Sequence, residues 1–239
     1  MGLFDKKFCS VCGAKIGLFG NRKLEDGNLC KDCASKLSPW MTDRRQSTVE
    51  EIKQHLAYRE QNKAAVAAFH ATKTFGNNTK VIIDEDAGRF LVSSQNRWQE
   101  DNPDVLDLTQ ATGCTLNVRE NQHEQYMKDK DGMNKSYNPP RYTYDYDFEV
   151  TIAVDSPYFQ EIFFHVNDWA VERSSAQYHN CENLANDICD YFSKTHQEIR
   201  ASAAAAAAPK AKVTCPHCGA TTEPDANGCC QFCGGALDK

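Results

Sequence analysis

No stretch of this sequence approaches the roughly 18 consecutive apolar residues that a membrane-spanning helix requires, so a membrane span is not expected. The first residues, MGLFDKKFC, hold no apolar signal core, and Lys6 stands where an N-myristoylation pattern needs Ser or Thr. These readings place the chain in the cytoplasm. There is no P-loop, no dinucleotide fingerprint, no G-x-S-x-G elbow and no H-E-x-x-H helix, which removes the common phosphate-binding, hydrolase and zinc-protease signatures. Asp129, Asp131 and Asn134 have part of a calcium-loop spacing but lack its sixth-position glycine and its closing glutamate. No catalytic residue and no organic cofactor site is expected, and the chain does not read as an enzyme.

Basic charge is also scarce where a polyanion-binding surface would need it. Residues 47–208 carry 15 Lys and Arg against 25 Asp and Glu. That balance argues against duplex DNA or an anionic membrane as the partner of this segment. Residues 1–46 run the other way, with nine basic residues against five acidic, and residues 209–239 have three of each.

Cysteine, by contrast, is plentiful: there are 12. A reducing cytoplasm disfavours disulfides, so paired cysteines there point to metal or catalysis. Eight form two sets, Cys9-x2-Cys12-x17-Cys30-x2-Cys33 and Cys215-x2-Cys218-x11-Cys230-x2-Cys233. Two intervening residues let the chain turn so that both sulfurs face one ion, and four thiolates close a tetrahedral zinc shell. Gly13, Gly219 and Gly234 each follow the second cysteine of a pair, where a positive φ lets backbone N–H groups approach the sulfurs. A redox pair would instead open a helix in a βαβ context. Two structural zinc ions are therefore expected, on Cys9, Cys12, Cys30 and Cys33 and on Cys215, Cys218, Cys230 and Cys233. A closed shell leaves no position for an activated water. Cys229 is surplus: either it or Cys230 can ligate, but only Cys230 keeps the two-residue spacing with Cys233. Cys114, Cys181 and Cys189 lie on apolar faces and read as core residues. His165 and His217 read as exposed.

Residues 1–46 are too poor in apolar side chains to fold without a metal staple. Ser47 and Glu50 predict a capping box, followed by a connecting helix over 47–73 in which Arg59 and Lys63 interrupt the apolar stripe. From Thr79 the period becomes two. Val81–Asp84 and Arg89–Ser93 read as a hairpin, Val105–Leu108 and Cys114–Val118 as short strands, and 142–154 as a half-buried strand with Tyr142, Tyr144, Tyr146, Phe148, Val150, Ile152 and Val154 on its inner face. The charged run 121–138 reads as an exposed hairpin tip around Asp131-Gly132, and Glu161–Val166 as a further strand. Beyond Ala176 the period is helical, prolonged by the alanines up to residue 208 and stopped at Pro209. The fold class expected is α+β: an antiparallel β-rich middle domain over 74–200 with a C-terminal helix, an Ala-rich linker over 201–214, and flanking four-cysteine ribbons at 1–46 and 215–239.

The stretch CGAKIGLFGNRKLEDGNLCKDCASKLSPW resembles the N-terminal zinc-ribbon module of a bacterial family of uncharacterised function, which implies Cys9, Cys12, Cys30 and Cys33 as ligands. CPHCGA and CQFCGG resemble zinc ribbons appended to many bacterial proteins. The element order over about 75–200, with VLDLTQATGCTLNV as a third-to-fourth strand passage, is similar to bacterial pleckstrin-homology-like domains. The function expected is a non-catalytic, zinc-binding adaptor presenting ribbon surfaces and a β-rich domain to partner proteins. The alternative is nucleic-acid binding through the ribbons, where Lys15, Arg22, Lys23, Lys31 and Lys36 make the first one basic. A redox role for Cys229 lacks a neighbouring base.

Overall fold

The computed structural model describes residues 6–207, 212–225 and 227–237. The chain divides into two compact units, Met1–His196 and Gln197–Lys239.

The first unit opens with two small hairpins, β1 (Lys7–Phe8) with β2 (Lys15–Ile16) and β3 (Arg22–Lys23) with β4 (Asn28–Leu29), then the one-turn helix α1 (Lys31–Ala34). Helix α2 (Val49–Ala67) follows. Its first turns finish the ribbon: Ile52 is buried with Ile16, Leu24, Leu29 and Leu37, and Val49 and Leu56 pack on that cluster. The segment 1–46 thus lacks part of its own core, which α2 supplies.

The capping box sits one residue later than the sequence suggested. Thr48 is the N-cap, its Oγ1 accepting from Glu51 N at 3.3 Å while the Glu51 carboxylate accepts from Thr48 N at 2.7 Å. The ribbon adds a second cap, because Asp26 Oδ1 accepts from Val49 N at 2.7 Å. The Ser47 side chain caps nothing and donates its hydroxyl to the Asp43 carbonyl. Thr48→Ala should therefore cost about 1 kcal/mol in a urea titration, and Ser47→Ala under about 0.5 kcal/mol; equal costs would return the cap to Ser47.

Helix α2 ends at Ala67, short of the expected residue 73, and the chain turns into strand β5 (Lys73–Phe75). Arg59 does not interrupt the buried face but belongs to it. It is 7% exposed, with His55 and Asn62 also buried. Arg59 Nη1 donates to Asp104 Oδ1 at 2.7 Å, Arg59 Nε donates to the Lys36 carbonyl, and Ser38 Oγ donates to Asp104 Oδ2 at 2.7 Å. Asn62 donates to the Pro103 carbonyl and accepts from Val105 N. Burial pushes the Asp104 carboxyl up, and the Arg59 guanidinium pulls against it.

His55 is fully buried and stacks on Tyr158 at 4.6 Å, with Nδ1 3.0 Å from Met41 Sδ. Burial, helped by the charge of Arg59, holds its pKa down at about 4. The unfolded chain takes up this proton near pH 6.5, the folded chain only near 4. Stability is thus unaffected above 6.5 and is lost as pH falls from there towards 4, by on the order of 3 kcal/mol at most. Urea midpoints of wild-type and His55→Gln chains should converge over this range. Subtracting one from the other cancels any pH dependence of bound metal; parallel curves would exclude the effect.

Two antiparallel sheets complete the unit. One has the order β5, β6 (Lys80–Asp84), β7 (Arg89–Ser93), β8 (Leu106–Asp107). The one-turn helix α2′ (Trp98–Asp101) lies between its last two strands in sequence, and Leu108–Gln110 is a 3₁₀ turn, so the expected Val105–Leu108 strand is shortened to two residues. The other sheet places β10 (Asn134–Val154) between β9 (Ala111–Lys128) and β11 (Glu161–His165). Helix α3 (Ala176–Ala207) covers both sheets within the first unit: Tyr178 meets Tyr146 and Phe148 edge-on, Phe192 meets Phe90, and Tyr191 meets Phe75.

β9 and β10 run far past the third strand. β11 pairs only with Glu149–Ala153, whereas β9 and β10 pair out to Lys128 and Asn134. The outer part is a two-stranded arm of about 30 Å, at 3.4 Å per residue. Tyr146, Phe148, Val150, Ile152 and Val154 are buried as the alternation predicts, but Tyr142 and Tyr144 are exposed because they lie on the arm. The tip turns at Asp129–Gly132. Polar cross-strand pairs bind the arm: Arg119 to Asp147 at 2.7 Å, His123 to Asp145 at 2.9 Å, and Tyr146 Oη to Glu120 at 2.7 Å.

In the second unit α3 continues to Ala207, and β12 (Val213–Thr214) pairs with β13 (Thr221–Thr222). Of the expected linker over 201–214, residues 201–207 are the end of α3, 208–211 lie outside the described residues, and Val213–Thr214 form β12.

Candidate metal centres

Each expected cysteine set converges. One sulfur atom from each of Cys9, Cys12, Cys30 and Cys33, and likewise of Cys215, Cys218, Cys230 and Cys233, lies within 4.8 Å of the other three. Cys12 and Cys30 are 3.7 Å apart, Cys215 and Cys233 3.6 Å, Cys218 and Cys230 3.7 Å. A tetrahedron of sulfurs about 2.3 Å from a central zinc has edges of about 3.8 Å, whereas a disulfide needs about 2.05 Å. Each set can hold one metal ion, and the spacing is consistent with zinc.

Three of the four pairs are built alike. Gly13, Gly219 and Gly234 have φ of 74°, 71° and 70°. Each donates its N–H to the carbonyl of the first cysteine of its pair, at 2.9, 2.9 and 2.8 Å. This is the left-handed turn that glycine adopts without steric cost. The fourth pair differs. Cys33 is followed by Ala34, and the pair opens a helix after all: Cys30 is the N-cap of α1, and its sulfur accepts from Cys33 N at 3.4 Å. The surrounding βαβ context of a redox motif is missing, since the neighbours are the two-residue strands of the ribbon.

The protons are unevenly held. Burial disfavours the Cys9 thiolate, but backbone N–H groups of Cys12, Cys30 and Val11 outweigh it and bring its pKa to about 6. Cys215 reaches about 6 the same way, burial being outweighed by the backbone at Cys218 and His217. Burial and the other thiols push Cys33 up, and Cys233 rises to about 12 because Cys218 and Cys215 outweigh the Gly235 N–H. Without a cation, Cys9 and Cys215 lose their protons readily, while Cys12, Cys33, Cys218 and Cys233 hold theirs. A divalent ion would supply the missing charge, so metal affinity should fall with pH.

Cys230 is the clustered member of its doublet, and Cys229 Sγ points instead to the Asn227 carbonyl at 3.8 Å. His165 and His217 are exposed, as expected. One arrangement escaped sequence reasoning: Cys114 and Cys189, read as separate core residues, have sulfurs 3.0 Å apart. They are 75 residues apart in the chain, and no spacing rule links them.

A family model for a domain of unknown function (DUF4428) matches residues 7–55. The match therefore takes in the first cysteine cluster and the Val49 and Ile52 turns of α2 that close its core. No helix among the described residues is long and apolar enough to cross a membrane. No curated protein and no solved structure matches the chain.

Proposed function

We propose that this protein is a non-catalytic adaptor whose two ribbons are each closed by a structural zinc ion and whose β-rich middle domain presents a binding arm to a partner protein. The middle domain is read as pleckstrin-homology-like: four strands, then three, then a closing helix. The proposed ligands are Cys9, Cys12, Cys30 and Cys33 for one ion and Cys215, Cys218, Cys230 and Cys233 for the other. Four sulfurs leave no coordination position for substrate.

The observation that carries the adaptor reading is the arm. Among the described residues its two strands have no third neighbour outside the body, so their outer edges present unpaired backbone groups, a ready template for strand addition. Tyr126, Tyr142, Tyr144, Met127 and Met133 are exposed along it. Replacing residues 122–144 by Asn-Gly would close the hairpin at the Asn121–Asp145 pair. The wild-type chain should retain partner proteins from the native host that the shortened chain loses, while both keep the same zinc content. Equal retention by both chains would overturn the reading.

One observation favours the alternative, nucleic-acid binding through the first ribbon. Arg22, Arg44 and Arg45 make no ion pair with any described residue, which leaves their charges uncompensated. A salt-dependent DNA or RNA affinity abolished by Arg44→Glu would favour it.

A further inference from the structure

Cys114 lies on β9 and Cys189 on α3, both half-buried. Their 3.0 Å separation is shorter than the 3.6–3.7 Å of the paired sulfurs in the metal clusters. Among the described residues no third histidine, cysteine or carboxylate completes a metal site with them. A two-sulfur site of this kind can do little with a cation, but its sulfurs need close only about 1 Å to bond, given an S–S length near 2.05 Å. We propose that Cys114 and Cys189 form a reversible redox site, oxidised by low-molecular-weight disulfides, that ties the closing helix to the sheet.

The two thiols are unequal, which sets the order of events. Either thiol can donate to the other; a hydrogen bond from Cys114 favours the Cys189 thiolate over the opposing effects of burial and the neighbouring Asp190. Cys114 keeps its proton, held by the same bond and by burial. Cys189 Sγ is therefore the attacking sulfur. It bonds to one sulfur of a small disulfide such as oxidised glutathione. The disulfide's own S–S bond breaks, and one glutathione leaves as thiolate and takes a proton from water. Cys114 then releases its proton to solvent, and its sulfur attacks that of Cys189, expelling the second glutathione. Two protein thiols are oxidised and one small-molecule disulfide is reduced to two thiols.

The bond would join segments that meet only in the folded chain. α3 holds both sheets through Tyr178 and Phe192, so fixing it to β9 would restrict the opening of the core. In a reducing compartment the pair stands as thiols and closes when the oxidised thiol pool rises. The metal clusters use other cysteines, so closure should not require loss of metal.

The test uses the full chain, reduced and supplied with zinc, then treated with oxidised glutathione and mapped by digestion and mass spectrometry. The expected product is one cross-linked peptide pair carrying Cys114 and Cys189, with unchanged zinc content. The melting temperature should rise by about 5 °C or more, and dithiothreitol should reverse the rise. In the Cys114→Ser chain, Cys189 should retain a glutathione adduct, because the resolving thiol is gone. In the Cys189→Ser chain, Cys114 should react at least tenfold more slowly. The proposal is overturned if both sulfurs stay open to alkylation in the wild-type chain, if each is capped separately by glutathione, or if Cys181 or Cys229 takes either one as its partner.

Discussion

Cys30→Ser should leave the full chain with one bound zinc ion where the wild type should carry two, and should unfold the N-terminal ribbon. Cys30 has two tasks: its sulfur belongs to the first cluster, and it caps α1 by accepting from Cys33 N. Serine can replace the cap but not the thiolate. Around the cluster, Leu24, Leu29 and Ile52 are fully buried, yet the ribbon has only two-residue strands and one helical turn to hold them. So little core and backbone cannot offset the ordering entropy of some 40 residues at roughly 1.5 kcal/mol each. A structural zinc of this type contributes about 10–16 kcal/mol of apparent binding free energy, so losing it should be decisive for the ribbon. Elemental analysis gives the stoichiometry, and brief trypsin treatment should newly cut at Lys15 and Lys23. The Cys229→Ser chain is the control and should keep both ions, because Cys229 stands outside its cluster. Two ions and an intact ribbon in the Cys30→Ser chain would exclude the first cluster as a metal site.

Asp104→Ala should cost about 3–5 kcal/mol, the range for removing one partner of a buried ion pair. The Asp104 side chain is fully buried and the Arg59 side chain 8% exposed, so the guanidinium left behind has no water to replace the carboxylate. Ser38 Oγ loses its acceptor as well. Three parts of the first unit meet on this carboxylate: the end of the ribbon at Ser38, the middle of α2 at Arg59, and the loop leading to β8. The loss should therefore appear as looser packing among all three, not only as a lower midpoint. Arg59→Met combined with Asp104→Leu should be far milder, because no uncompensated charge stays buried. A double-mutant cycle in urea measures both. Additive costs would show that the pair is not coupled.

The two four-cysteine clusters were legible in the sequence because their information is local. A two-residue spacing with a following glycine specifies a turn that needs no distant partner, and Gly13, Gly219 and Gly234 adopt it. The core strand was legible for a similar reason: alternation from Tyr146 to Val154 is a property of one segment, and it correctly marks the buried face. The same alternation failed at Tyr142 and Tyr144. Period two says which side chains share a face, but not whether anything covers that face: Tyr178 of α3 packs on Tyr146 and Phe148, whereas Tyr144 and Tyr142 lie farther out on the arm and are exposed. Arg59 was misread because a charge on an apolar stripe counts as an interruption until its partner is known, and Asp104 lies 45 residues away. The helix start slipped by one residue because Ser47 and Thr48 are both competent caps, and the choice falls to the ribbon, through Asp26 on Val49. Local turn chemistry and periodicity were thus determined by the sequence alone. Which strands remain uncovered, which buried charges are paired and which cysteines touch were decided by long-range packing, since each depends on two segments that only the folded chain brings within a few ångströms.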